Sequence, residues 1–595
     1  KTFMSWGASD VKGMFSDINA DGLVDYVYDS DNDEYINVRY NQLGKTNLLK
    51  TVTNLVGSEF EISYTLSKHG GFDCPNRTMV MDSLKIFDGY TEDGANYQYF
   101  AFEYDSCMYQ RFDRENLGFK IVKTKALDQE LEAYKIITEH YHNDKVLLKG
   151  LKYKDLITDK DGNKYIENEY LYGLYALNNG QYISPSDECK CDAFPALKEQ
   201  VRKYYETQTE PQIIISQTFE YGQYGNMTKY TQEGDITDND DNFTATITYM
   251  GYSPQYIVGK RRNIIVKNTN NQTIRRTMFF YNSIGNVTQI NKYNNNLISY
   301  FNYSYDVYGN ITQVRLPHNA TNQRMRYNYI YDDQIFSLPI QVTSILGYSS
   351  STIYDYKLQV PLSSTDINNN TISFEHDWRG RLTKVVSPNE TDFTIKHVYS
   401  LGNTNDNIAW AKTMHYDTFN ANNTINTVLF CDGLGRVIQT KKDIEINNEE
   451  KRVVSGKVIY DIFGRVISEN YPKLEELSSD ETTLSTAPED NTPPTEYRYD
   501  VLDRVTKTIY PDGTSDSIAY DISDGKFRTQ HIDALSNTVS TFSDYRNLTT
   551  KITNCYGSTT ITYDQLGQKI STTDPDNIQT SYTYDMLGRK TSRTH

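Results

Sequence analysis

The sequence predicts an all-β protein built as a long, tyrosine-rich sheet of stacked hairpins. Three observations predict it. One short phrase recurs along the second half of the chain, and runs that alternate apolar and polar residues flank each copy. Tyrosine dominates the aromatics, with 51 Tyr against 23 Phe and 3 Trp in 595 residues. Self-similarity of this kind means stacked supersecondary units, none of which can bury its own face alone.

The phrase is Tyr-Asp-x-x-Gly-Arg. Its last copy reads Tyr584-Asp585-Met586-Leu587-Gly588-Arg589, and the copy before it Tyr563-Asp564-Gln565-Leu566-Gly567-Gln568. Upstream stand Tyr499-Asp500 with Asp503-Arg504, Tyr460-Asp461 with Gly464-Arg465, and Tyr305-Asp306 with Gly309-Asn310. Degenerate copies are Tyr281-Asn282 with Gly285-Asn286, His376-Asp377 with Gly380-Arg381, and Cys431-Asp432 with Gly435-Arg436. Runs such as Thr559-Thr560-Ile561-Thr562-Tyr563 precede the turn, and runs such as Val466-Ile467-Ser468 follow it. Two period-2 segments about a tight turn make a β-hairpin. Asp accepts a hydrogen bond from the backbone two residues on, and Gly takes a positive φ, so Asp-x-x-Gly is turn chemistry. The Arg or Asn after Gly opens the return strand, where an ion pair on the strand surface explains the Arg better than an anion site.

The tyrosine is the packing unit. A ring buries about 150–250 Å², worth several kcal/mol at ~25 cal/mol per Å² before entropy is counted. Its hydroxyl still reaches water or a polar partner, which suits a sheet with one dry side and one wet side.

Taken in order, the chain opens on Asp17-Ile18-Asn19-Ala20-Asp21-Gly22-Leu23-Val24-Asp25. Asp17, Asn19, Asp21 and Asp25 with Gly22 have the spacing of a calcium loop, and Leu23 would add its carbonyl. An EF-hand would need Glu where Tyr28 stands, and the flanks are strand-like. The loop resembles the FG-GAP/VCBS calcium loop of β-propeller blades, with Tyr35–Asn41 as the next strand and calcium in a structural role. Leu48–Asn54 and Glu61–Tyr64 read as two strands turning at Gly57. Pro185–Lys203, with Cys189-x-Cys191, reads as a loop followed by a short helical turn. The repeats start near Phe219. They are interrupted at 473–495, an acidic, Ser/Thr-rich stretch closed by Pro493-Pro494 that reads as a surface loop and a candidate for disorder.

The repeated phrase resembles the YD repeat of Rhs proteins. Phe430-Cys431-Asp432-Gly433-Leu434-Gly435-Arg436-Val437-Ile438-Gln439-Thr440-Lys441 is similar to the B component of insecticidal toxin complexes, as is Arg114-Glu115-Asn116-Leu117-Gly118-Phe119. The resemblance implies the end of a β-propeller (1–45), a linking β region (46–215) and a YD-repeat spiral (216–595) that forms a hollow shell. It implies a toxic C-terminal or C-component polypeptide inside the shell, a pore-forming or secretion-apparatus partner at the propeller, and a secreted or cell-surface bacterial setting. In that family a conserved segment beyond the repeats releases the toxin by self-cleavage. The sequence stops at His595 before any such segment, so no catalytic residue is carried over.

Composition bounds the alternatives. A net charge of −18 and a pI near 5.1 argue against nonspecific binding to nucleic acid or anionic membranes. No stretch approaches the ~20 apolar residues of a spanning helix. Lys1 begins mid-pattern without Met or signal peptide, as in a fragment. The six Cys are scattered, and free buried thiols are expected. His140 and His142 share a strand face without a third ligand, and Cys189-x-Cys191 is at most half a zinc site. No phosphate loop, GxSxG elbow or HExxH is present. The reading is a non-enzymatic scaffold. A cell-surface or wall-associated YD-repeat adhesin is its rival, and a polysaccharide-processing enzyme lacks an identifiable carboxylate pair.

Overall fold

Strands of alternating pattern pair in chain order throughout the computed structural model. It describes residues 13–19, 23–29, 36–42, 47–67, 77–91, 94–112, 114–177, 179–183, 192–235, 241–251, 256–319, 321–402, 408–418, 423–455, 457–485 and 492–595. Among the described residues there are 45 strands and no helix. The strands Gly13–Ser16, Asp25–Asp29 and Ile36–Arg39 form a small antiparallel meander of their own. All the others belong to two sheets.

The larger sheet begins at Thr51–Thr53 and Glu59–Leu66, on either side of Gly57, and runs to Lys473–Glu476. It crosses residue 215 without a break: Ala193–Tyr204, Ile213–Tyr221 and Met227–Asp235 pair in succession. The junction between linking region and repeats is therefore a change of sequence pattern within a continuous ladder.

The second sheet runs from Val458–Tyr460 to Lys590–Thr594 and lies alongside the first as the next coil of a spiral. The seam between coils joins residues far apart in sequence. Asn54 donates to the Gly433 carbonyl across 379 residues, the Ala95 N–H donates to the Tyr460 carbonyl at 3.0 Å, and the Met586 N–H donates to Asn294 across 292 residues. Roughly two dozen strands separate such contacts, which at ~4.8 Å per strand gives a coil about 35–40 Å across.

The wall is one sheet thick. The folded chain exposes 35125 Å², whereas a compact monomer of 68.7 kDa would expose about 21,000 Å². One compact cluster stands out, in which Tyr90, Val428, Phe430, Ile438 and Tyr460 are buried together. It sits where the wall forks. The strand Val437–Ile446 pairs with Glu449–Val454, which pairs in turn with Lys473–Glu476. The wall itself continues through Tyr460, whose hydroxyl donates to the Val437 carbonyl at 2.9 Å.

Three sequence expectations are corrected. The stretch 473–495 is not simply a surface loop. Lys473–Glu476 is a strand, and the residues after it strap down over the fork: the Ser479 carbonyl accepts from Arg452 at 2.8 Å, Glu481 pairs with Lys412 and accepts from Asn426, and Leu484 packs on the buried cluster. Carboxylates that looked like solvated loop chemistry instead neutralise the buried cations Lys441 and Arg452. The expected helical turn before Lys203 is the strand Ala193–Tyr204, held by eleven registered partners on Lys164–Ala176; sheet pairing overrides its local helical pattern. Cys107 is in a disulfide rather than a free thiol, its partner lying outside the described residues, while Cys431 and Cys555 are free.

Phe430 is fully buried in the cluster at the fork. Phe430→Ala is expected to cost about 3–5 kcal/mol, read as a lower urea midpoint; a midpoint unchanged within error would show that the fork does not depend on this cluster.

Candidate functional site: the turn and tyrosine lattice of the wall

The repeat turns are closed by the side chain after the tyrosine, an aspartate in most copies and Asn282 in one. Asp306 Oδ1 accepts the N–H groups of Tyr308 at 2.9 Å and Asn310 at 2.8 Å. Asp461 does the same for Phe463 and Arg465, Asp564 for Leu566 and Gln568, and Asp585 for Leu587 and Arg589. Gly309, Gly464, Gly567 and Gly588 take φ of 91°, 80°, 77° and 84°, a left-handed geometry that explains the glycine. Asp503 fills the same place at φ 63°.

The other aspartate oxygen holds the residue after the glycine. Arg465 Nε donates to Asp461 at 2.8 Å, Arg504 to Asp500 at 2.7 Å and Arg589 to Asp585 at 2.7 Å. The guanidinium then lies over the tyrosine of the following repeat: Arg436 is 4.0 Å from the Tyr460 ring centroid, Arg465 4.8 Å from Tyr499 and Arg504 4.3 Å from Tyr520. That tyrosine closes the cycle. Its hydroxyl donates to the carbonyl of the residue just after the arginine, Tyr499 to Val466 at 2.6 Å and Tyr520 to Val505 at 3.0 Å. Where Asn, Gln or Leu replaces Arg the tyrosine bond persists, from Tyr305 to Val287 at 2.7 Å, Tyr563 to Thr549 at 2.9 Å and Tyr584 to Lys569 at 2.9 Å. Burial pushes the hydroxyls of Tyr305, Tyr499 and Tyr563 up, keeping them protonated as donors.

Three of the arginines also reach across the seam. Arg436 pairs with Asp88 at 2.8 Å. Arg465 reaches Tyr134 across the seam and Asp503 on the next turn of its own coil. Arg504 makes a bidentate pair with the buried Glu206 at 2.9 and 2.8 Å. Burial pushes the Asp88 carboxyl up even though Arg436 opposes it. None of these seam partners carries a motif: Asp88, Tyr134 and Glu206 lie in loops and strand ends whose sequence gives no sign of a partner about three hundred residues away.

The faces of the wall differ. From residue 287 to 351 one face carries an amide and hydroxyl ladder: Gln289 with Asn302, Gln313 with Asn328, and Gln341 with Ser349. The other face carries Ile290 opposite Phe301, Val314 between Tyr303 and Tyr327, and Val342 opposite Tyr329.

At the N-terminal loop, Asp25 is fully buried. Its two oxygens accept the N–H groups of Asn41 at 2.8 Å and Ile18 at 2.9 Å, bonds that lower its pKa. Asp21 lies outside the described residues. Among the described residues no group of three or more His, Cys, Asp or Glu is placed to hold a metal ion, and Asp25 closes the loop through backbone N–H groups. His140 and His142 pack against Tyr153 at 5.7 and 4.8 Å between ring centroids. Cys189 and Cys191 lie outside the described residues.

Residues 4–150 match the family described as the insecticide toxin TcdB middle/N-terminal region, and residues 563–595 match the RHS repeat. The chain carries RHS repeats and resembles the B component of insecticidal toxin complexes. Its fold is similar to part of the TcdB2–TccC3 complex: in one crystal structure of TcdB2–TccC3–Cdc42 the match has a TM-score of 0.74 at 11% identity and covers 98% of this chain and 42% of that one. A crystal structure of TcdB2–TccC3 matches with a TM-score of 0.74 at 12% identity over 97% of this chain and 40% of that one. The Photorhabdus luminescens Tc holotoxin pore matches at 0.73 and 12% over 97% and 41%. This chain thus spans about two fifths of the length of those structures. No curated protein matches it by sequence. The FG-GAP/VCBS likeness has no counterpart among these matches.

Tyr305→Phe removes one buried donor and is expected to cost about 1 kcal/mol. Arg504→Ala strands Glu206 and is expected to cost about 3 kcal/mol, against less than about 1 kcal/mol for the exposed Arg589→Ala. Equal costs for the two arginines, measured by urea unfolding, would remove the seam from the stability of the wall.

Acid should act on the turns. Desolvation alone would raise Asp332, but the N–H groups of Gln334 through Leu338 outweigh it and hold the carboxyl far below its usual range. Asp306, Asp377 and Asp585 are held low in the same way, with help from Asn310, Arg381 and Arg589. Depressed carboxylates stabilise fully above the unfolded pKa, near 4, and lose that contribution only as pH falls through the lower folded value. The turn contribution should stay constant from pH 7 to about 5 and decline below about 4; a β-sheet circular dichroism signal already declining at pH 6 would contradict it.

Proposed function

We propose that this chain is part of the wall of a hollow container that encloses a toxic polypeptide and delivers it. The observation that carries the reading is the spiral itself: a wall one sheet thick, wound at least one full coil and sealed to its own next coil by Arg436, Arg465 and Arg504. A wall of this kind spends its residues on area instead of core, which is what enclosure requires. The fold shared with TcdB2–TccC3 supports it, and by that likeness the enclosed chain is a C-terminal segment or a TccC3-like partner. The wall acts as a scaffold without chemistry of its own. Its amide and hydroxyl face is the one suited to a payload, because it offers an unfolded chain hydrogen bonds between separate apolar side chains such as Phe280, Ile298 and Ile330.

In the same reading, the N-terminal meander belongs to a propeller that docks on a pore-forming or secretion partner, the three regions divide near residues 45 and 215, and the assembly works outside a bacterial producer cell. Among the described residues no helix is long and apolar enough to cross a membrane. Calcium at Asp17, Asn19, Asp21, Leu23 and Asp25 would brace the meander.

Two measurements test this. In the naturally occurring full-length polypeptide, the region after the repeats should resist protease until the wall is unfolded; cleavage at the denatured rate would end the container reading. Chelation of calcium and Asp17→Ala should each lower the melting temperature of the meander by a similar amount, and no shift from either would make the loop an ordinary turn.

A further inference from the structure

The charge of the wall is uneven. Residues 242–354 carry ten Lys and Arg against three Asp and no Glu, in a chain whose net charge is −18. Among the described residues, cations paired with carboxylates stop at Lys229 with Glu220 and resume at Arg381 with Asp377. Two of the three aspartates, Asp306 and Asp332, are spent on the backbone N–H groups of their own turns. A basic panel thus stands in an acidic protein without neutralisation from its own side chains.

The charge gathers on the amide and hydroxyl face. Residues opposite one another in paired strands share a face, as do residues two apart on one strand. Asn302 stands opposite Arg315, and Arg315 opposite Arg326, so both arginines rise among Gln289, Asn302, Gln313 and Asn328. Like charges directly opposite destabilise a sheet. Arg315 Nε donates to Gln313, whereas Arg326 Nε is closed to solvent and has no hydrogen-bond partner. Arg324 adds a third positive charge beside them. It donates to the carbonyls of Tyr300 at 3.0 Å and Arg315 at 3.2 Å, and lies 4.6 Å from the Tyr300 ring centroid.

Two opposed guanidinium forks that meet no carboxylate form a site for oxyanions. Around them the amide ladder offers donors and acceptors alike. A peptide backbone brings both to such a ladder, whereas a phosphodiester chain brings acceptors alone. Tyr293 and Tyr300, the rings on this face, are already covered by Arg276 at 4.4 Å and Arg324 at 4.6 Å, which closes them to base stacking. A membrane or a long polyanion would also meet the acidic remainder of the chain. A short acidic peptide meets the panel alone.

We propose that this panel binds an acidic stretch of polypeptide, with its carboxylates between Arg315 and Arg326 and its backbone along the amide ladder. The proposal rests on the container reading in one respect, that the stretch belongs to the enclosed chain. Bound there, it neutralises charges that residues 242–354 leave unopposed and holds the occupant at one place on the wall.

The test uses the naturally occurring full-length polypeptide with its enclosed chain, carrying Arg315→Lys or Arg326→Lys. Each variant keeps the charge and supplies an amine that a carbodiimide joins to a carboxylate in contact with it. Lys229 and Glu220, 2.8 Å apart on the same face, report that the reagent reaches that face. The introduced amines should be recovered joined to Asp or Glu outside residues 1–595. Their yield should fall at least about fivefold in 1 M salt, where screening shortens to ~3 Å. No such product while Lys229 and Glu220 join, products with carboxylates of residues 1–595 alone, or a yield indifferent to salt would overturn the proposal. So would retention of an oligothymidylate or of phosphatidylcholine–phosphatidylglycerol vesicles that Arg315→Gln with Arg326→Gln abolishes, since the site would then belong to phosphate. The product in a protein whose region after the repeats is open to protease would keep this site and end the container reading. Its absence from a protease-resistant protein would do the reverse.

Discussion

A wall one sheet thick cannot lean on a core, so everything in this structure depends on the cycle that links one repeat to the next. The aspartate closes its turn through two backbone N–H groups and holds the arginine with its second oxygen. The arginine supports the next tyrosine ring, and that tyrosine locks the start of the arginine's own strand. Each bond contributes about 1 kcal/mol, too little to hold a sheet alone, but the cycle recurs along the chain. Stability is placed in the turns and along the strand ends rather than between layers.

This arrangement leaves the faces free. In an ordinary sandwich, both inner faces must be apolar because each is the other's core. Here one face between residues 287 and 351 carries paired amides and hydroxyls and still belongs to a stable sheet, because the ladder and the turns do not need it to be dry. A container for an unfolded chain requires that separation. A wall stabilised by a large apolar lumen would offer its contents a surface on which to collapse.

The repeat was legible in the sequence down to its atoms. Asp-x-x-Gly is a turn for reasons of local geometry, and Tyr305, Tyr460, Tyr563 and Tyr584 alternate into a strand whose end they mark. The ion pair of Arg465 with Asp461 follows from their spacing of four. What was not legible is everything that depends on the winding. Glu206 meets Arg504 only because one coil brings residue 504 back over residue 206, and no local pattern encodes the circumference. The strap after Lys473 misled for a related reason. Its carboxylates read as solvated, yet Glu475 and Glu481 serve Lys412, Lys441 and Arg452, cations buried by a fork in the sheet that only the tertiary fold reveals. Ala193–Tyr204 shows the same limit from the other side, since partners on both flanks settle its conformation.

The substitution pattern within the repeat then acquires a meaning that a consensus would hide. The position after the glycine, or after Asp503, is Arg at 436, 465 and 504, where a turn meets the preceding coil, and Asn at 286 and 310, where it does not; Arg381, on a turn that meets no other coil, stays with its own Asp377 and Tyr399. Asn satisfies the aspartate as well as Arg does, through Asn310 and Asp306 at 2.9 Å, so turn closure cannot be what selects between them. What differs is reach. The guanidinium spans the gap between coils and neutralises Asp88 or Glu206, carboxylates whose desolvation would otherwise oppose the seam, while the shorter amide stops within its own rim. Arg at this position is therefore what allows a turn to reach the next coil, and whether it does so is decided by the winding, since Arg381 has the same reach and keeps to local partners.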